Sequence, residues 1–163
     1  MPDTSVLHLI CGKIAAGKST LAARLAGAPR TILISEDFWL SRLYKDEQKT
    51  LEDYVRNSRR LREAMGPHIA ALLRAGVSVV LDYPANTVPT RQWMLGVAEA
   101  AKADHRLHFL DVSDEECKAR LRRRNQEGKH DFAATDAEFD QFTSYFVAPT
   151  ANEGLNIVVH DRC

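Results

Sequence analysis

The chain has 163 residues, 45% of them hydrophobic and 27% charged, with 22 Lys and Arg against 22 Asp and Glu. That length is one domain's worth, enough for a core of its own, and the balance excludes a largely disordered or fibrous chain. Zero net charge supplies no global field toward polyanions or anionic lipid, and no apolar run approaches the roughly 20 residues of a membrane span.

In chain order, the opening MPDTSVLHLI has neither a basic n-region nor a small-residue cleavage site, so a cytoplasmic protein is expected. Short β-branched and apolar runs at 6–11, 31–35, 77–81, 107–112 and 156–160 read as five strands. Continuous apolar runs, rather than alternating ones, suit a parallel sheet covered on both faces. Between them, 18–25, 51–75, 90–103, 114–125 and 136–146 have helical spacing, with Asp114 and Thr135 or Asp136 as candidate N-caps. Gly66-Pro67 interrupts the second, which predicts two helices or one kinked helix. The sum is a doubly wound α/β domain spanning 1–163, with no repeat or linker inside it. Cys11, Cys117 and Cys163 are too few and too scattered for a disulfide framework or a zinc site, and read as reduced thiols.

The most specific signal lies between the first strand and the first helix. Gly12-Lys13-Ile14-Ala15-Ala16-Gly17-Lys18-Ser19 fits GxxxxGK[ST] at every required position. Gly12, Ala15, Ala16 and Gly17 are small enough for successive main-chain N–H groups to turn inward around a phosphate, at the positive end of the helix that follows. Lys18 is placed to reach the β- and γ-phosphates, Ser19 to ligate Mg²⁺, and Thr20 to touch the α-phosphate. ATP, or GTP, is the expected ligand.

Strand two runs into Glu36 and Asp37, at the edge where ligands of such sheets sit. A carboxylate there can accept a hydroxyl proton during phosphoryl transfer, or cap the helix starting near Phe38; Asp37 is preferred over Glu36 as base. Strand three closes on Asp82, in the form of a Walker B acid beside the metal. The polar loop Pro84-Ala85-Asn86-Thr87 with Arg91 follows over the same edge and suits orienting Asp82 or gripping a substrate; turn chemistry explains its Pro and Asn equally well. Farther on, Arg120 and Arg124 are four apart and share a helix face, a phosphate clamp suited to a lid, whereas Arg122 and Arg123 point elsewhere. The six histidines have no metal-ligand spacing and read as structural or solvated.

GKIAAGKST, ISEDFWL, VVLDYPANT with Arg91, CKARLRRRN and SYFVAPTANEG together resemble a family of small bacterial P-loop proteins described as kinases or ATPases. More distantly the chain is similar to chloramphenicol phosphotransferase, zeta toxins and polynucleotide 5′-kinases. The resemblance implies a P-loop NTPase fold with sheet order 2-3-1-4-5, Lys18 and Ser19 for nucleotide and metal, Asp37 as base, Asp82 near metal or acceptor, and Arg120 with Arg124 in a lid at about 118–135. It places the acceptor region at about 38–75; beside Asp37, Trp39 and Phe38 read either as an aromatic wall for a small organic acceptor or as packing against the helix. Polynucleotide kinases commonly carry an Arg three residues after the base; here Leu40 stands there, which counts against a nucleic-acid 5′ end. The reading is an ATP-dependent kinase acting on a hydroxyl of a small molecule. The alternatives are a polynucleotide or nucleoside kinase, and a nucleotide-switched binding module.

Overall fold

Strand residues of opposite parity sort the hydrophobic side chains into two cores, one on each face of a single five-stranded parallel sheet. The structure, a computed structural model, describes residues 4–128 and 134–160. The described elements run β1 (Val6–Cys11), α1 (Lys18–Ala26), β2 (Thr31–Ser35), α2 (Glu36–Leu43), α3 (Leu51–Arg74), β3 (Ser78–Pro84), α4 (Val88–Ala100), β4 (Asp104–Leu110), α5 (Asp114–Glu127), α6 (Asp136–Thr143), a 3₁₀ turn at Ala151–Glu153, and β5 (Ile157–His160). The sheet order is β2-β3-β1-β4-β5, the order that the resemblance implied, with β2 and β5 at the edges.

Leu7, Leu9, Val79, Leu81 and Leu107 pack against Leu61, Ile69 and Leu73 of α3 and Met94 of α4. Ile10, Val80 and Leu110 face the other way, onto Leu21 and Ala22 of α1, Cys117 and Leu121 of α5, and Phe139 of α6. Each such fully buried aliphatic chain contributes about 1.5–3 kcal/mol of transfer free energy. The two cores lock β1 at the centre, and β1 delivers the phosphate loop from its end.

Several expectations shift. Gly66-Pro67 does not divide the long helix: α3 runs unbroken through Pro67. Its inward stripe, Leu61, Met65, Ile69 and Leu73, is buried on the sheet, and that burial outweighs the one backbone hydrogen bond a proline forfeits. A distinct α2 directly follows β2, begun by Ser35, whose Oγ accepts from the Phe38 amide. β3 continues past Asp82 to Pro84, and β4 starts and ends earlier than the apolar run suggested. Thr87 caps α4, moving its start to Val88, and α6 ends at Thr143 rather than 146.

Candidate functional site

The loop between β1 and α1 has the conformation its composition demands. Gly17 holds φ at 105° and Ala15 at 64°, both left-handed, and the second is a strained choice for an alanine. At Gly12 an added Cβ would stand 3.2 Å from the Cβ atoms of both Ala16 and Leu110, so only glycine fits without displacing the loop. The Ala16 amide donates to the Lys13 carbonyl at 3.1 Å, tightening the turn. Helices α2 to α6 all begin on a Ser or Thr side chain that accepts one of their first amides, but α1 begins at Gly17 with no side-chain cap. Its leading amides are thus left to the loop mouth, the arrangement that receives an anion.

Lys18 folds back over the loop, its Nζ donating to the carbonyls of Gly12 at 2.7 Å and Lys13 at 2.8 Å. Desolvation pulls its pKa down, opposed by the nearby negative charges of Asp82 and Asp37. Ser19 and Thr20 are exposed at the start of α1, and Ser19 Oγ donates to Asp82 Oδ2 at 3.2 Å. Asp82 pairs in register with Ser35, the last residue of β2 and two residues before Asp37, and the Asp37 carboxylate is near enough to act on Asp82 electrostatically. Crowding by protein atoms raises the pKa of both, Asp37 further raises Asp82, and Lys18 draws both down. Lys18, Ser19, Asp37 and Asp82 therefore form one electrostatically coupled group.

Glu36 and Asp37 separate by helical geometry. Glu36 shares the inner face of α2 with Leu40 and is 1% exposed. Its carboxylate accepts from Tyr54 Oη at 2.5 Å and Ser58 Oγ at 2.8 Å, both on α3. Burial raises its pKa and those two hydrogen bonds lower it. Asp37, one residue on, is exposed at the mouth. Glu36 is the fastener between α2 and α3, and Asp37 is the carboxylate available to a ligand. Trp39 is 38% exposed but lies two residues beyond Asp37, about 200° further round α2, so its ring leaves the opposite flank.

Arg120 reaches the loop from α5: Nη1 donates to the Ala16 carbonyl at 3.2 Å and Nη2 to Glu116 at 2.7 Å. Arg124, a turn further along, is half-buried, and its Nε is buried without a hydrogen-bond partner among the described residues. Arg122 is not simply solvated, since it pairs with Asp136 of α6. Lys118 pairs with Asp140 at 2.8 Å, so two ion pairs fasten α5 to α6. Residues 129–133 of the expected lid lie outside the described residues, as do His130 and Cys163.

Arg91 is corrected. The loop reading assigned it to substrate, yet its side chain is 0% exposed and its donors are taken by the protein. Nε and Nη2 engage Glu153 at 2.8 and 3.2 Å, and Nη1 donates to the carbonyls of Ala85 at 3.0 Å and Val147 at 2.8 Å. Two further features were missed. Asn86 holds Gly12 through both amide atoms, and His8, His108 and His160 form a hydrogen-bonded chain across β1, β4 and β5. The Asn86 loop had at least been marked as polar and close to the site; nothing in the spacing of the histidines points to their contact.

The donor set fits magnesium. Ser19 and Asp82 offer hard oxygen ligands side by side, while Cys11 and Cys117 are buried, with Cys11 pushed up to about 11 by desolvation. Among the described residues, no group of three or more His, Cys, Asp or Glu side chains is arranged to hold a metal unaided. No described helix is long and apolar enough to cross a membrane.

A family profile described as "AAA domain" matches residues 7–149, from β1 past α6. The chain belongs to this family. No curated protein matches it in sequence. Among solved structures it is similar to a sugar kinase from Janibacter sp. HTCC2649, at 18% identity and TM-score 0.66, covering 97% of this chain and 85% of that one. It is also similar to the Mycobacterium tuberculosis APS kinase CysC in complex with AMPPNP and APS, at 20% identity and TM-score 0.61, covering 99% and 92%. A third likeness is to a chain of the Pnkp1/Rnl/Hen1 RNA repair complex, at 16% identity and TM-score 0.66, covering 87% of this chain and 44% of that one. At these identities the likeness is one of fold, and the fold of this family member is the α/β fold of P-loop NTPases.

Proposed function

We propose that the protein is an ATP-dependent phosphotransferase that phosphorylates a hydroxyl group of a small molecule. One observation carries the reading: an exposed carboxylate, Asp37, stands beside the Lys18, Ser19 and Asp82 group at the loop mouth and shares its electrostatics. A loop that only bound nucleotide would have no use for a second, crowded carboxylate there.

In this scheme the amides of Gly12–Ser19 and the Lys18 ammonium bind the triphosphate of ATP, or of GTP, and Arg120 adds charge from α5. Ser19 and Asp82 would hold Mg²⁺, which when bound neutralises charge on the β- and γ-phosphates. Asp37 accepts the acceptor's hydroxyl proton as its oxygen bonds to the γ-phosphorus, the bond to the bridging oxygen breaks, and nucleoside diphosphate leaves. Its raised pKa suits it to that proton. Glu36 cannot serve in its place, because it is buried and committed to Tyr54 and Ser58. A small acceptor is supported by the cancelled net charge and by the fold's likeness to the sugar kinase and the APS kinase.

The test is to incubate the protein with Mg·ATP and a fractionated metabolite extract and to search by mass spectrometry for a species heavier by one phosphoryl group. Asp37→Asn should retain nucleotide binding and lose transfer by about 10²–10⁴-fold. Full turnover by that variant removes Asp37 from the mechanism, and a product-free extract with intact ATP binding removes the small-molecule acceptor.

A further inference from the structure

The Asn86 side chain acts as one more rung of the sheet. β1 and β3 pair in parallel until the register shifts between Leu9 and Ile10, where Ile10 comes to face Pro84. The Ala85 amide then donates to the Ile10 carbonyl at 3.1 Å. Beyond that, the Asn86 carboxamide takes over from the backbone: Gly12 N–H donates to Oδ1 at 3.0 Å, and Nδ2 donates to the Gly12 carbonyl at 2.9 Å. A backbone amide can only donate and a carbonyl only accept, so this orientation of the side chain is fixed. The Gly12 carbonyl is also where Lys18 Nζ docks, so Asn86 and the phosphate-binding lysine share one acceptor atom.

Asn86 is itself held from behind. Its carbonyl accepts from the Val147 amide at 2.8 Å, and the Val147 carbonyl accepts from Arg91 Nη1. Glu153 neutralises Arg91, and its own position is set by the Thr150 amide, which donates to Oε2 at 2.8 Å. Val147 follows α6 by only four residues, and Phe142, Thr143 and Phe146 border a small cavity of about 30 Å³ shared with Lys13, Ile14 and Asn86. The path from Glu153 through Arg91, Val147 and Asn86 to Gly12 is thus a chain of contiguous hydrogen bonds, and its one fully buried charge is paired.

We propose that Asn86 is a positioning residue for phosphate binding, held in register by the Arg91–Glu153 pair through Val147, so that side chains touching no nucleotide set the loop's affinity for it. The proposal rests on the loop binding nucleotide. Loss of the carboxamide leaves the peptide of Gly12 free to rotate, and every inward amide after it starts from the wrong place. Arg91 also donates to the Ala85 carbonyl, but its contact with Val147 is the one that bears on Asn86, so the effects of Glu153 and Asn86 must overlap rather than add in full.

Calorimetric titration with Mg·ATP of wild type, Asn86→Ala, Glu153→Gln and the double variant tests this, with melting temperatures measured in parallel. Asn86→Ala is expected to weaken binding about tenfold, the loss of two hydrogen bonds to one peptide. Glu153→Gln is expected to weaken it less, and the double variant to bind no worse than Asn86→Ala alone. Asn86→Asp should fail to rescue, since its second oxygen would face the Gly12 carbonyl. Unchanged affinity in Asn86→Ala, even with a lowered melting temperature, overturns the proposal while leaving the kinase reading intact. Multiplicative losses in the double variant overturn the linkage to Glu153. If Glu153→Gln does not fold, Glu153→Asp, which shortens the reach to Arg91, takes its place in the cycle with the same expected pattern. No binding of Mg·ATP or Mg·GTP by the wild type overturns both readings together.

Discussion

Acidification should destabilise this protein by way of the histidine chain. His108 is 5% exposed, and its Nε2 lies 2.9 Å from His8 Nδ1 while its Nδ1 lies 3.1 Å from His160 Nε2. Burial, and then the like charges of His8, His160 and Arg106, push His108 down to about 4 from 6.5. Its folded pKa is below the unfolded one, so the unfolded state binds the proton more readily. The cost is absent above about pH 6.5, grows as pH falls, and levels off near pH 4. At about 1.4 kcal/mol per pH unit the ceiling is about 3.5 kcal/mol, and solvent screening lowers it toward about 2. Urea unfolding followed by tryptophan fluorescence, from about pH 7 to about pH 4.5, measures the slope, with His108→Gln as the reference. The carboxylates of Glu36, Asp37 and Asp82 have raised pKa values and act in the opposite sense, but they are common to both proteins and cancel. The wild type should lose about 2 kcal/mol more than the variant over that range. Parallel curves would refute the argument, and so would a steeper fall in the variant.

Other expectations concern packing and metal. Gly96→Ala should stabilise the protein by about 0.5–1 kcal/mol, because Gly96 sits inside α4. An added Cβ there meets nothing within 4 Å, and scanning calorimetry should show a rise in melting temperature. Tyr54→Phe leaves the buried Glu36 carboxylate with Ser58 alone and should cost about 1–3 kcal/mol in chemical denaturation. Asp82→Asn should raise the Mg²⁺ concentration needed for half-maximal nucleotide binding at least tenfold, read by titrating Mg²⁺ at fixed ATP; an unchanged requirement would separate Asp82 from the metal.

The phosphate loop was legible because a cradle built of main chain tolerates only small residues at fixed spacing, and Gly12 and Gly17 bear that constraint on the surface of the sequence. Five apolar runs announced five strands, and the resemblance supplied their order. What was not legible depends on partners far apart in the chain. Arg91 looked free because Glu153 stands 62 residues away, and the histidine chain joins three strands that only the folded sheet brings side by side. The choice between Glu36 and Asp37 was partly readable. Glu36 and Leu40 are four apart, so a helix starting at the end of β2 turns Glu36 inward with the leucine and leaves Asp37 outside. Placing the helix start at Phe38 hid that signal. The same misplaced start hid the angle of about 200° that α2 puts between Asp37 and Trp39.

The two borders of the sheet bring a different liability. Ile32 and Leu33 on β2, and Val158 and Val159 on β5, are each between 39% and 54% exposed, apolar chains next to strand backbone with a neighbour on one side only. Such rims invite a stray strand to add itself. Their defence is brevity: five residues in β2 and four in β5 offer an intruder few rungs to hold. Any engineered extension of either rim should therefore cost solubility before it cost stability, and a lysine in place of Val159 should restore it.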